Sequence, residues 1–259
     1  MTMPLGEIYG ILLVLLFAVA AGLVGSFALM KRMLLASDVI SHVALPGIAL
    51  AWILHFNPIA GGAVTLFLGT FLIWHLQKRS GLATDAAIGV VFAGSLAIGA
   101  ALIPGQDLDE AMFGSFQGLS LPAFLLGLVA VLLIIAAIVR YRDQLLLGLF
   151  SPELASTTAI RLDRLNLLFL MVFSLTVLVG LRFMGALLAG ALVIVPATAA
   201  RRLATDMRGF LLASCLISLL SVATGLVLKS LFFPHVSPGP IVAIVAAALF
   251  ALTMLRSAP

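Results

Sequence analysis

Charge is what this sequence lacks most. Of its 259 residues only 9% are Asp, Glu, Lys or Arg, while 63% are hydrophobic. An ordinary soluble domain carries about a quarter charged residues, so a water-exposed globule is excluded, because nothing would cover its apolar surface. Cysteine is nearly absent too: Cys215 stands alone, which rules out a disulfide within the chain and a thiolate metal cluster. Its place in an apolar run suits a small core residue. No Gly-x4-Gly-Lys-Ser/Thr phosphate loop, no Gly-x-Ser-x-Gly and no His-Glu-x-x-His occurs anywhere, so the chain has no seat for ATP hydrolysis and is not read as an enzyme. Nor is there a basic patch. The formal charge of +4 is spread in pairs between apolar runs, which argues against nucleic acid as a partner.

What the sequence has instead is long apolar runs. Stretches such as Ile11 to Met30 and Leu121 to Val139 lack the apolar–polar alternation of barrel strands, and in lipid the remaining way to satisfy the backbone is the helix. The first charge is Glu7 and the run after it has full span length, so it reads as a first helix rather than a cleaved signal. Nine candidate spans follow, near 8–30, 36–55, 58–76, 85–103, 121–139, 165–183, 184–200, 210–230 and 239–255. Pro46 and Pro196 interrupt two of them, and a re-entrant segment would bring the count to eight. The expected fold is all-α: a polytopic integral membrane protein of eight or nine transmembrane helices, one domain over residues 1–259, with the lipid bilayer as its solvent. Recurring small residues such as Gly89, Gly94 and Gly99 are expected to let helices pack closely.

The basic residues set an expected sidedness. With the N-terminus outside and the C-terminus cytoplasmic, Lys31, Arg32, Lys78, Arg79, Arg140, Arg142, Arg161, Arg164, Arg201, Arg202, Arg208 and Arg256 all fall on the cytoplasmic side. Only Arg182 and Lys229 fall near the outer side, where long side chains snorkel. The stretch from Ser151 to Thr158 reads as a short surface helix with Ser at its cap and Pro at its first position.

Two stretches could carry chemistry. In the second span, Ser37-Asp-Val-Ile-Ser-His-Val-Ala-Leu-Pro-Gly47 places Asp38 and His42 four residues apart, on one helix face. Ionisable residues inside spans mark ion or substrate routes, and carboxylate with imidazole suits a divalent transition metal. The plainer readings are a buried polar pair, or an Asp38 lying at the interface beside Lys31 and Arg32. One helix offers two ligands, so a closed site needs a second copy, which a two-fold axis would deliver. Both ligands must be deprotonated to bind, so transport is expected to fall on acidification. His55, His75 and His235 read as interfacial, with metal entry a lesser reading for His55 and His235. Glu7 and the acids Asp107, Asp109 and Glu110 would attract cations. The second stretch runs from Leu181 through Pro196-Ala-Thr-Ala-Ala-Arg-Arg-Leu-Ala-Thr-Asp206, an apolar helix ending in a basic loop. Its residues alone fit an ordinary positive-inside loop as well as a docking helix.

Together the two stretches resemble the membrane permease subunits of bacterial ABC transporters that import zinc, manganese or iron. That family's second helix reads approximately Gly-Asp-Ala-Leu-Ser-His-Ala-Val-Leu-Pro-Gly, matched in register by Asp38, Ser41, His42, Leu45, Pro46 and Gly47, with Ser37 in place of the glycine. Its later Gly-x-Leu-Leu and Pro-Ala-Ala-Thr-Ala-Arg run is similar to Gly185-Ala-Leu-Leu and Pro196 to Arg201. Before the last helix, where the family tends to carry an acid, His235-Val-Ser-Pro-Gly239 has none. The resemblance implies a bacterial plasma-membrane location and a dimer whose Asp38 and His42 meet a transported zinc or manganese ion, with no permanently bound cofactor. It also implies an extracytoplasmic metal-binding protein and a separate ATPase subunit, the latter gripping Thr198, Arg201, Arg202, Leu203 and Asp206. The competing expectation is a gradient-driven secondary transporter using the same Asp/His pair.

Overall fold

A computed structural model of the chain describes residues 5–33, 36–102, 119–157, 161–232 and 235–255. Among these residues there is no strand, and eleven helices are present. They are α1 (Leu5–Met30), α2 (Ala36–Val43), α3 (Leu45–Ile53), α4 (Pro58–Ser80), α5 (Thr84–Leu102), α6 (Leu121–Phe150), α7 (Pro152–Thr157), α8 (Leu162–Met184), α9 (Ala186–Leu203), α10 (Met207–Phe232) and α11 (Pro238–Leu255). The acids Asp107, Asp109 and Glu110, and Arg256, lie outside the described residues.

Among the described residues eight segments are long and apolar enough to cross a membrane, with α2 and α3 together forming one of them. The remaining predicted span is α9, 18 residues long and so about 27 Å at 1.5 Å per residue. Local chemistry sets the helix ends. Asn57 Oδ1 accepts from the Ile59 N–H at 2.9 Å, with Pro58 as the first residue of α4, and Gly81 closes that helix in the left-handed region at φ 64°. Two boundaries differ from the sequence expectation. α6 runs on past residue 139 to Phe150, because Arg140 to Leu149 holds good helix formers and no proline; Pro152 ends it by starting α7. Pro196 does not break α9, which continues through it; packed neighbours tolerate the one lost backbone bond.

α1, α8 and α9 form the middle of the bundle, with α1 touching α6, α8, α9 and α10. Phe17 and Phe27 of α1 and Phe169 and Phe173 of α8 are fully buried there. Apolar surface gains little by leaving lipid for protein, so close packing must hold such a bundle. The closest approaches are made by glycines. At the α3–α4 crossing a Cβ on Gly47 would collide with the Gly61 carbonyl, and one on Gly61 would collide with the Gly47 carbonyl. Of the glycines expected to serve this way in α5, only Gly99 does, against Leu45; a Cβ added at Gly89 or Gly94 would meet no neighbouring helix within 4 Å. A buried hydroxyl pair, Thr70 Oγ1 and Ser174 Oγ at 2.6 Å, joins α4 to α8.

Polar contacts at one end of the bundle agree with the charge pattern. Lys31, Gln77, Lys78, Asp163 and Asn166, at the ends of α1 and α4 and the start of α8, are joined there. At the opposite end the Leu119 N–H reaches the Gly6 carbonyl at 3.3 Å.

Candidate metal pathway and partner surface

The second span is divided at Ala44. Pro46 has no N–H to offer the carbonyl one turn back, so the chain passes from α2 to α3 through tight i to i+3 bonds, Ala44 N–H to Ser41 O at 3.3 Å and Gly47 N–H to Ala44 O at 3.1 Å. This shapes α2 into a short helix with two faces. Ala36, Ser37, Ile40, Ser41 and Val43 are buried, toward α4, α5, α8 and α9. Asp38 and His42 lie on the other face, Asp38 exposed and His42 half-buried. The Ser41 hydroxyl donates to the Asp38 backbone carbonyl and so does not engage the carboxylate of the exposed Asp38.

His42 has a ring edge on Phe92 of α5, with centroids 5.6 Å apart at 67°. Its Nδ1 is buried and has no hydrogen-bond partner. A buried imidazole nitrogen left unpaired costs free energy unless a ligand completes it, and nitrogen with a neighbouring carboxylate is a donor set for zinc or manganese. Among the described residues no group of three or more His, Cys, Asp or Glu comes together, so on this face Asp38 and His42 stand as two candidate ligands from one chain. The other histidines stand apart from it. His55 is exposed in a left-handed conformation (φ 56°) after α3, His235 is exposed before α11, and His75 stacks on Phe71 with centroids 6.4 Å apart. Glu7 is exposed at the start of α1.

The five residues read as an ATPase surface play different parts. Arg201, Arg202 and Leu203 are exposed on the last turn of α9. Thr198 turns its hydroxyl back onto the Val195 carbonyl at 2.8 Å. Asp206 caps α10, its Oδ2 accepting from the Gly209 N–H at 3.2 Å. The short helix read at residues 151–158 is present as α7, and Phe150 and Leu154 are exposed there at 66% and 59%.

Sequence reasoning passed over Asn166. Its Oδ1 accepts from Lys31 Nζ at 2.9 Å, and its Nδ2 donates to Gln77 Oε1 at 3.0 Å. Lys31 also lies 4.9 Å above the Phe169 ring, and burial lowers its pKa to about 8. Nearby, Lys78 pairs with Asp163 at 3.3 Å and Trp74 Nε1 donates to the Asp163 carbonyl at 2.9 Å. A lone asparagine near the start of an apolar span was the available signal. Cys215 is half-buried with its Sγ 3.6 Å from the Val19 carbonyl, as its apolar setting suggested.

The sequence pattern of the ABC 3 transport family matches residues 8–257. The high-affinity zinc uptake system membrane protein ZnuB of Haemophilus influenzae is 28% identical over 238 residues, 90% of each chain. The manganese import system permease protein ScaB of Streptococcus parasanguinis is 32% identical over 215 residues, 80% of this chain and 76% of that one. Among solved structures, PsaBC from Streptococcus pneumoniae in complex with Fab superposes with a TM-score of 0.79 at 26% identity, covering 96% of this chain and 91% of that one.

Proposed function

This chain belongs to the ABC 3 transport family, and on that premise we propose that it is the membrane permease of an ATP-driven importer of zinc or manganese, working as a dimer in the bacterial plasma membrane. The observation that carries the reading is the outward face of α2. Asp38 is exposed and His42 holds an unpartnered buried Nδ1, while the rest of the helix is packed. A charge on a membrane helix turns to a water-filled path or a protein partner rather than to lipid. Two such faces across a two-fold axis supply four ligands, the number a tetrahedral metal takes. Carboxylate and imidazole without thiolate give a site that holds the ion and lets it go.

ATP hydrolysis belongs to a separate subunit. The basic end offers that partner Arg201, Arg202 and Leu203, with Thr198 and Asp206 shaping the turn beside them. It also offers the exposed apolar pair Phe150 and Leu154 at the α6–α7 junction, since apolar side chains outside the bilayer are what a protein contact buries. A metal-binding protein would deliver the ion at the opposite, outer end, with the N-terminus outside. Nucleotide-dependent contacts at the basic end then shift the population between outward- and inward-open states.

The test is uptake of zinc and manganese by cells expressing the permease with its ATPase, comparing wild type with Asp38→Ala and His42→Ala at matched membrane levels. Loss of uptake in both variants is the expected result, and the ion lost names the cargo. Full uptake in both would remove Asp38 and His42 from the pathway. Uptake that persists without the ATPase would make the transporter gradient-driven instead.

A further inference from the structure

An asparagine in an apolar helix is costly unless both halves of its amide are paired, and Asn166 uses both. Through its oxygen it holds Lys31, the residue following α1, and through its nitrogen it holds Gln77 in the last turns of α4. Lys31 rests at the same time on the ring of Phe169, one turn further along α8. Its ammonium is thus docked on α8 at two points.

Lys31 in turn begins the connection to the ligand helix. Its N–H closes α1 on the Phe27 carbonyl at 2.9 Å, Arg32 turns into the left-handed region at φ 59°, and the Met33 N–H returns to the Ala28 carbonyl at 2.8 Å. Met33 is buried in the core, and its carbonyl accepts from the Ala36 N–H at 3.2 Å, where α2 begins. Asp38 follows within the first turn of α2, and α8 packs directly along that helix. α8 therefore packs on the ligand helix, and its start grips the turn that leads into that helix. α7 lies immediately before α8 in the chain and touches it.

We propose that Asn166 is a positioning residue for the transported ion: by holding Lys31 it registers the α1–α2 turn, and with it the Asp38/His42 face, against the basic end of α8. Displacement of α8 at that end is then delivered to the metal ligands rather than absorbed in the turn. This rests on the reading that Asp38 and His42 meet the ion.

The experiment uses the purified permease–ATPase complex in proteoliposomes, with zinc and manganese as probes, and reads KM, maximal rate and metal moved per ATP. Asn166→Leu removes both links and is expected to raise KM about tenfold, the scale of one lost hydrogen bond to a charged group, and to lower metal moved per ATP. Asn166→Asp keeps an acceptor for Lys31 and can accept from Gln77 once that amide rotates, so its KM stays near wild type. Lys31→Met reproduces the Asn166→Leu defect, and the double variant is no worse than the more affected single one. Wild-type KM and coupling in Asn166→Leu would overturn the proposal, as would additive defects in the double variant. So would equal loss in Asn166→Leu and Asn166→Asp seen only in the amount of complex recovered, which is what a purely structural role gives. Asp38→Ala in the same vesicles separates the two levels: if it abolishes transport while Asn166→Leu keeps wild-type KM and coupling, the registration fails and the metal pathway stands. If Asp38→Ala transports normally, the pathway itself fails.

Discussion

Replacing Gly47 by alanine adds one methyl group where α3 crosses α4. That methyl would meet the Gly61 carbonyl and Thr65 Oγ1 well inside the 3.4 Å at which ordinary contact begins. The obstacle is backbone of a neighbouring helix, so it cannot swing aside as a side-chain tip would. Relief requires the helices to part by about 1 Å, and a gap of that order forfeits roughly a quarter to a half of each dispersion well across the interface. Overpacking of this kind costs about 1–3 kcal/mol, and the backbone obstacle places Gly47→Ala toward the upper part, near 2–3 kcal/mol. For a chain of this size that lowers the melting temperature by about 4–12 °C. The assay is thermal unfolding of the detergent-purified permease, with Gly190→Ala as control. A Cβ at Gly190 meets only Ser37 Oγ, at 3.8 Å, and alanine favours the helix by up to ~1 kcal/mol, so the control is neutral or more stable. Equal melting of wild type and Gly47→Ala would refute the packing argument, as would a Gly190→Ala that melts as early as Gly47→Ala.

Three other outcomes are expected. Ser174→Ala leaves Thr70 bonded to the Leu66 carbonyl, so denaturant titration should show a loss of only about 1 kcal/mol. Lys31 has a folded pKa of about 8 against 10.5 unfolded. Between those values the unfolded chain holds more protons, so stability rises with pH across that window and is flat below it. Melting curves from pH 7 to 10 should show this rise, and Lys31→Met should abolish it. Asp206→Ala removes the cap of α10 and costs about 1 kcal/mol, while Asp206→Ser restores melting. If the carboxylate itself contacts the ATPase, co-purification of that subunit falls in both variants.

How much of this was legible beforehand varied with distance along the chain. Asp38 and His42 could be found because a shared helix face depends on a spacing of four residues. The break near Pro46 follows from a missing N–H, and the short helix after Ser151 from a serine–proline start. Pro196 has the same chemistry as Pro46 and the opposite outcome: α9 continues through it, and the residues beside the two prolines do not separate the cases. Gly89 and Gly94 looked as suited to close packing as Gly99, yet only Gly99 meets a neighbour. A glycine's sequence context does not say which helix lies across from it.

By itself the sequence determined the solvent of this protein, the helical class, the approximate spans, the grouping of basic residues at one end and the pairing of two metal-type ligands on one face. Each of these depends on composition or on neighbours a few residues apart, and lipid allows a backbone few other solutions. Only the tertiary structure decided that Asp38 is exposed while its helix is packed, that the Nδ1 of His42 has no partner, and that Gly47 rather than Gly89 is a contact point. The same holds for the pairing of Lys31 with Asn166 across 135 residues of chain. The physical reason is that burial and pairing are properties of the surface a residue meets, and helix packing brings that surface from remote parts of the sequence.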